Sequence, residues 1–354
     1  MQEKSLTKDK HIIILRFSSL GDVAILIPLL RCIIDKYKNL KITIVTLGQY
    51  NALFNEFKDI NIVNVEKDSK HKGFPGIYKL FNELRKLKPT AIADLHSVLR
   101  TNILEVFFRF IFIKYKRINK GRKEKAKLCR KKNKVFSPLT PTIYRYKEVF
   151  RKLGFEVNLE NHIYPLKPNF PFKIEFINKK YQKKLIGVAP FSAHKGKTYP
   201  LDLMQKVIAF LQREYIVILF GGGKKETQQI KIWERAYKNV KFFSDKISFN
   251  DELNLIANLD LMISMDSANG HIASNYNIDV VTIWGMTHPF IGFSPWNQPE
   301  KNNIILDLEK FPLIPTSTYG KIIPNGYSDA MRTITPQQII EKVLEVMNVD
   351  QISS

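Results

Sequence analysis

A chain of 354 residues, 44% hydrophobic and 12% aromatic, exceeds one ordinary core and is expected to form two domains of roughly 150 to 180 residues each. That composition excludes disordered, collagen-like and coiled-coil classes. The formal net charge of +23 predicts attraction to polyanions: nucleic acid, phosphorylated lipid or an acidic glycan.

The first apolar block, His11 to Leu30, is broken by Arg16 and by Gly21-Asp22, so neither a signal peptide nor a membrane-spanning helix is expected. Short β-branched runs then alternate with helical patterns, the signature of βαβ units and parallel sheets. Strands are expected at His11–Phe17, Lys41–Leu47, Ile60–Val65, Thr90–Leu95 and Lys114–Asn119. Ile103–Ile113 is apolar apart from Glu105 and Arg109, and twelve Lys or Arg against one acid follow between Lys114 and Lys134. This stretch reads either as a membrane-surface patch or as a core helix followed by a solvated basic loop.

From Val157 to Lys184 the periodicity gives way to a stretch with Pro165, Pro168 and Pro171, read as a linker with a short helix. A second series follows, with strands at Leu185–Ala189, Ile216–Phe220, Val240–Phe243, Leu261–Met265 and Val280–Trp284. Helices are expected at Leu201–Glu214, Asp251–Asn258 and Thr335–Met347. The expected division is a doubly wound domain over 1–160, a linker over 161–184, a second doubly wound domain over 185–334 and a terminal helix over 335–354. Ligands of such sheets sit beyond the carboxyl ends of the strands.

At the end of the first strand, Ser18-Ser19-Leu20-Gly21-Asp22 offers a glycine for a tight turn and a carboxylate at the mouth of the sheet. Asp22 suits a general base, while Asp22 or Ser19 equally suits a helix cap. In Ser264–His271, Ser267 can cap the next helix, whose first N–H groups would bind phosphate with His271 nearby; Asp266 is a candidate nucleotide or sugar ligand. The loop Pro190–Pro200 contains Gly196-Lys197-Thr198, but Phe191 stands where a phosphate-binding P-loop needs its first glycine, so that class is rejected. Lys197 remains to neutralise a phosphate, and Ser192 to donate a hydrogen bond. Cys32 and Cys129 form no Cys-x-x-Cys pair, which excludes a disulfide framework or zinc site and makes the reducing cytoplasm the expected compartment. Asp-x-Asp, His-Glu-x-x-His and Gly-x-Ser-x-Gly are all absent, which removes support for metal-assisted and serine-hydrolase chemistry.

Three blocks in this order, Ile14–Val23, Lys197–Pro200 and Asp266–Ala273 leading to Trp284–Pro289, resemble glycosyltransferase family 9, the heptosyltransferases. Ala93–Arg100 matches a softer block, and the resemblance runs from Ile12 to about Val346. It implies a GT-B architecture, two Rossmann-like domains with an interdomain cleft, and an inverting, metal-independent sugar transfer. The implied donor is a nucleotide sugar, typically ADP-heptose; the implied acceptor is a lipid-linked, acidic lipopolysaccharide or lipooligosaccharide core.

On that resemblance Asp22 is the catalytic base, with Ser19, Gly21, His96 and Arg100 on the acceptor side. Lys197 and Ser192 contact the donor phosphates. Asp266, Ser267, Ala268 and His271 hold sugar and pyrophosphate, and Glu226 and Ile247 the nucleoside. No metal or cofactor is expected. The enzyme is expected to be cytoplasmic, with peripheral contact to the anionic inner membrane and no nucleic-acid partner. Ala268-Asn269, Tyr199 and Met286-Thr287-His288 depart from the Gly-Pro, Trp and Pro-Thr-Asp usual in the family, and these bear on the donor. The alternatives are a basic nucleic-acid-binding protein, which would lack a recognisable readout module here, and a glycosyltransferase using another nucleotide sugar.

Overall fold

A computed structural model describes residues 10–171 and 183–352. Residues 172–182, the interior of the expected linker, lie outside the described residues; within the expected stretch from Val157 a single short helical turn forms at Leu159–Asn161 among the described residues. The chain divides into two compact units, Met1–Lys120 with Thr142–Ile163, and Gly121–Pro141 with Tyr164–Ser354.

In the first unit, β1 (His11–Leu15), β2 (Lys41–Thr46), β3 (Ile60–Asn64), β4 (Ala91–Asp94) and β5 (Lys114–Arg117) form a parallel sheet in the order β3-β2-β1-β4-β5. Every residue of β1 is buried, as expected of a parallel strand covered on both faces, which reads as a continuous apolar run. Around the sheet run α1 (Leu20–Ala24), α2 (Leu26–Lys36), α3 (Gly73–Lys86), α4 (Leu99–Phe110) and, from the returning segment, Thr142–Leu153. Ile77, Leu80, Phe81 and Leu84 recur at helical spacing on α3 and pack with Ile13, Leu15, Val45, Ile92, Leu104 and Phe108.

The second unit repeats the plan. Here β6 (Leu185–Ala189), β7 (Ile216–Leu219), β8 (Val240–Phe242), β9 (Leu261–Met265), β10 (Asp279–Ile283) and β11 (Asn303–Ile304) pair in parallel in the order β11-β10-β9-β6-β7-β8. The two-residue β11 is too short to show a period and was not expected from the sequence. Both sheets reverse direction beside their first strand, at β1/β4 and at β6/β9, and a doubly wound sheet binds its ligands at such a switch point.

The expected boundary at 160 leaves out a detour. Residues 121–141, assigned above to the first domain, belong to the second unit. Within that unit Leu139 donates its N–H to the Phe290 carbonyl at 2.9 Å. Lys134 donates to the carbonyls of Pro312 and Ile314 at 3.1 and 2.9 Å, and Lys125 is buried with its ammonium 4.0 Å from the centre of the Phe293 ring. The basic run of 114–134 is therefore not one continuous surface patch: two of its cations are spent on contacts inside the second unit. Such contacts follow no local period, so no sequence pattern announces them.

Candidate active site

At the switch point of the first unit the chain continues from β1 into Arg16, whose N–H still pairs with the Val45 carbonyl at 3.1 Å. The Arg16 guanidinium is buried. It donates to the Leu95 carbonyl at 2.6 Å, lies 5.9 Å from the centre of the Tyr146 ring, and pairs with Asp22 Oδ2 at 2.5 Å. The same Oδ2 accepts from the Ser19 hydroxyl at 2.7 Å and the Ser19 N–H at 3.2 Å, while the Tyr146 hydroxyl donates to the Asp22 carbonyl at 3.1 Å. Asp22 thus closes the first turn of α1, as considered for it, and is also the ionic partner of Arg16 at the strand end. Its side chain is 24% exposed, against 7% for Arg16.

The neighbouring strand end carries Asp94, whose Oδ1 accepts the N–H groups of His96 and Ser97 at 2.8 Å each. Burial pushes the Asp94 carboxyl up. The His96 ring lies 5.1 Å from that of Phe17, and burial, with Arg16 and Lys120 nearby, pushes its pKa down to about 3, so it is a neutral imidazole at pH 7. A cavity of about 440 Å³ opens here, lined by Phe17, Leu47, Val65, Ile77 and Ile103, with Ser18, Lys67, His96 and Arg100 as its polar groups. The structure therefore gathers Ser19, Gly21, Asp22, His96 and Arg100 around one pair of strand ends.

In the second unit the loop after β6 folds into a tight turn at Lys195–Lys197. Lys197 Nζ pairs with Asp266 Oδ2 at 2.9 Å, and the Thr287 hydroxyl donates to the same oxygen at 2.9 Å. Three loops interlock around this pair: Met286 donates its N–H to the Gly196 carbonyl at 2.7 Å and accepts the Thr316 N–H at 3.0 Å. A methyl group on Gly285 would lie 2.3 Å from the Gly196 carbonyl oxygen; one on Gly320, at φ +65°, would lie 2.6 Å from Lys197 Cγ.

The other predicted residues fall on the same sheet edge. Ser267 occupies the cap position before the helix Ala268–Ser274, but its hydroxyl makes no cap bond there; it sits 3.2 Å from the Ser264 hydroxyl. The side-chain cap expected of Ser267 is thus not formed. His271 is buried within that helix, and Ser192 and Ala268 are half-buried. Glu226, in the first turn after β7, accepts the Gly222 N–H at 2.9 Å and so closes the glycine turn. Ile247 lies beyond β8, its N–H on the Phe243 carbonyl at 3.1 Å. His288 accepts the Phe290 N–H at 3.2 Å, and burial, then Lys134, lowers its pKa to about 4. Among the described residues no three His, Cys, Asp or Glu side chains converge as metal ligands would.

Sequence reasoning gave no role to Arg16, Gly320 or, beyond its place in Met286-Thr287-His288, to Thr287. A charge at the end of an otherwise apolar strand was the available signal for Arg16, since burying it demands a partner. Thr287 and Gly320 carried no local signal.

The family description "Glycosyltransferase family 9 (heptosyltransferase)" matches residues 77–317. Over 335 residues the chain is 26% identical to a lipooligosaccharide heptosyltransferase 2 of Campylobacter jejuni, spanning 92% of this chain and 95% of that protein. Among solved structures it superposes on a family 9 glycosyl transferase of Veillonella parvula with TM-score 0.74 at 18% identity, covering 96% of this chain and 98% of that one. For the ADP-heptose LPS heptosyltransferase II of E. coli the TM-score is 0.68 at 16% identity, with 97% and 99% covered. These two likenesses are of fold, and the fold they share with the two parallel sheets is GT-B. With the family pattern matched over more than half of its length, the chain belongs to glycosyltransferase family 9, the heptosyltransferases.

Proposed function

We propose that this enzyme transfers a heptose from an ADP-linked donor to a lipopolysaccharide or lipooligosaccharide core acceptor, inverting the anomeric carbon and using no metal or cofactor. The observation that carries this reading is the opposite exposure of two ion pairs. In the first unit the cation is the more buried partner and the carboxylate the more exposed, 7% for Arg16 against 24% for Asp22. In the second unit the order is reversed, 14% for Lys197 against 5% for Asp266. One strand end offers a proton acceptor, the other a cation.

In the reaction the acceptor O–H gives its proton to Asp22 as the oxygen attacks the anomeric carbon. The bond from that carbon to the phosphate oxygen breaks, and its electron pair leaves with the nucleoside diphosphate. Lys197 offsets the negative charge that develops there, while Asp266, held by Thr287, positions Lys197. Ser192, Ser267, Ala268 and His271 border the sugar and pyrophosphate, and Glu226 and Ile247 the nucleoside. Ser19, Gly21, His96 and Arg100 border the acceptor. The strong positive charge supports an acidic, phosphorylated acceptor at an anionic membrane; on this reading the enzyme works at the cytoplasmic face of the inner membrane, without a nucleic-acid partner. No helix of the described residues is long and apolar enough to cross a membrane.

The test is turnover with ADP-heptose, GDP-mannose and UDP-sugars on a deacylated, Kdo-containing acceptor, with and without EDTA. We expect ADP-heptose to be preferred, EDTA to leave the rate unchanged, and the product to have inverted configuration. Saturating donor at a hundred times its dissociation constant should stabilise the fold by about 2.7 kcal/mol. Preference for a UDP- or GDP-sugar overturns the donor; an obligatory divalent metal overturns the metal-free route; no turnover with any donor overturns transfer to this acceptor.

A further inference from the structure

The first unit carries an apolar surface that its core covers only in part, through Ile103 and Phe107. On α4, Leu99, Ile103, Val106, Phe107 and Phe110 recur at helical spacing along one side, with Leu99 and Phe110 each 77% exposed. Beside it, Phe74 and Tyr78 of α3 lie edge-on to Phe107, at 5.9 and 5.7 Å between ring centres, and both are exposed. The stripe ends in Phe112, 97% exposed and at φ +57°, a left-handed turn position that glycine or asparagine would normally fill. At its other end Phe74 and Leu99 line the cavity beside Phe17, together with Lys67 and Arg100, so the apolar surface continues into the acceptor side of the site.

The surroundings of the stripe are cationic. Residues 67–117 hold twelve Lys and Arg against four acids. Of those acids, Asp94 is buried, Glu83 pairs with Lys70 at 2.9 Å, Glu105 pairs with Arg109 and Arg117 at 2.7 and 3.4 Å, and Asp68 is exposed. Lys79 stands exposed on α3, Lys72 immediately before it, and Lys116 on β5. A second copy of the chain would bring like charges together across such a face, which opposes self-association. An anionic lipid surface complements it: the aromatic rings enter the interface and the cations meet the head groups.

We propose that the outer face of α3 and α4, with Phe112 at its end, docks on an anionic membrane and presents the strand-end cavity to a lipid-linked acceptor. This rests on the acceptor reading above, but vesicle binding tests it separately from transfer. The experiment co-sediments the full chain with vesicles of phosphatidylglycerol and phosphatidylethanolamine, or of phosphatidylcholine alone, and compares the wild type with the double variant Phe110→Ser, Phe112→Ser. Because both side chains are exposed, the variant should fold with unchanged melting temperature. We expect the wild type to bind anionic vesicles in a salt-sensitive way and phosphatidylcholine weakly, and the variant to bind anionic vesicles at least about tenfold more weakly. Transfer to an acylated acceptor in vesicles should fall in parallel, while transfer to the deacylated acceptor stays within about twofold of wild type. Equal vesicle binding by the two proteins, or no binding by the wild type at low salt, overturns the proposal. So does a change of oligomeric state in the variant without loss of vesicle binding, which would give the face to a second copy. If neither acceptor is turned over but the vesicle result holds, the docking face stands and the transfer reading falls.

Discussion

The two switch points are built alike and poised oppositely. Each places a cation and a carboxylate at the carboxyl end of a parallel strand, within ion-pair distance. In the first unit the cation leaves the strand itself and is enclosed by a carbonyl and a tyrosine ring, while the carboxylate sits on the following turn and faces outward. In the second the carboxylate ends the strand and is enclosed by Thr287, while the cation reaches in from a loop. The member rooted in the strand is buried by the sheet's own packing. Its partner, borne on a loop or turn, keeps the exposed side, and that is where substrate chemistry can reach it. On the proposed reading, one sheet presents the base and the other the phosphate ligand.

The most severe way to break this contrast is Asp22→Asn, which keeps size and hydrogen bonding to Ser19 but removes proton acceptance. Transfer should fall by at least about a hundredfold, while the thermal shift produced by donor stays as in the wild type. Near-normal turnover would leave Asp22 only its turn-closing role.

Lys197→Ala probes the other side. The rate should drop at least about tenfold, roughly 1.4 kcal/mol of transition-state stabilisation, and here, unlike Asp22→Asn, donor binding should weaken as well. An unchanged donor dissociation constant would refute the assigned difference between the two pairs.

A smaller effect is expected from Gly320→Ala. The new methyl group would sit 2.6 Å from Lys197 Cγ at a backbone φ of +65°, so Lys197 must shift and the left-handed position costs about 1–2 kcal/mol. Stability by urea titration should fall by that amount and turnover severalfold, with the donor KM rising; unchanged kinetics would show that this loop does not set the lysine.

The mildest probe is pH. His96 and His162 in the first unit are held down to about 3 and 4, and His288 in the second to about 4, in each case chiefly by burial. Unfolded histidines titrate near the ordinary value of about 6.5. Below that pH the unfolded chain takes up protons that the folded one refuses, so the stability these groups contribute is present above pH 6.5 and is lost as pH falls toward the folded values. The urea midpoint should therefore decline between about pH 6.5 and 5, and less steeply in His96→Gln. A flat profile in that window would contradict the buried, neutral imidazoles.

Much of this architecture was legible in residue order. The apolar runs at His11–Leu15, Leu185–Ala189 and Leu261–Met265 are dense enough to specify strands buried on both faces, and the turn residues after them marked Asp22, Lys197 and Asp266. Strand periodicity is local, carried by residues within a few positions of one another, so a linear reading recovers it. Likeness to a family put Lys197 and Asp266 both on the donor side, but their pairing, across 69 positions, was not anticipated; the role of Arg16 was not reached at all.

What the sequence by itself determined was the alternation of strands and helices, the two-fold repetition of the doubly wound plan, and the polar residues set at strand ends, because each follows from spacing and side-chain type along a short stretch. Only the tertiary structure decided which member of each ion pair is enclosed, that residues 121–141 pack with the second unit, that Ser267 makes no side-chain cap bond, and that α3 and α4 align their aromatic stripes. Those outcomes depend on contacts between residues far apart in the chain, where burial and charge are settled by neighbours that no local pattern names.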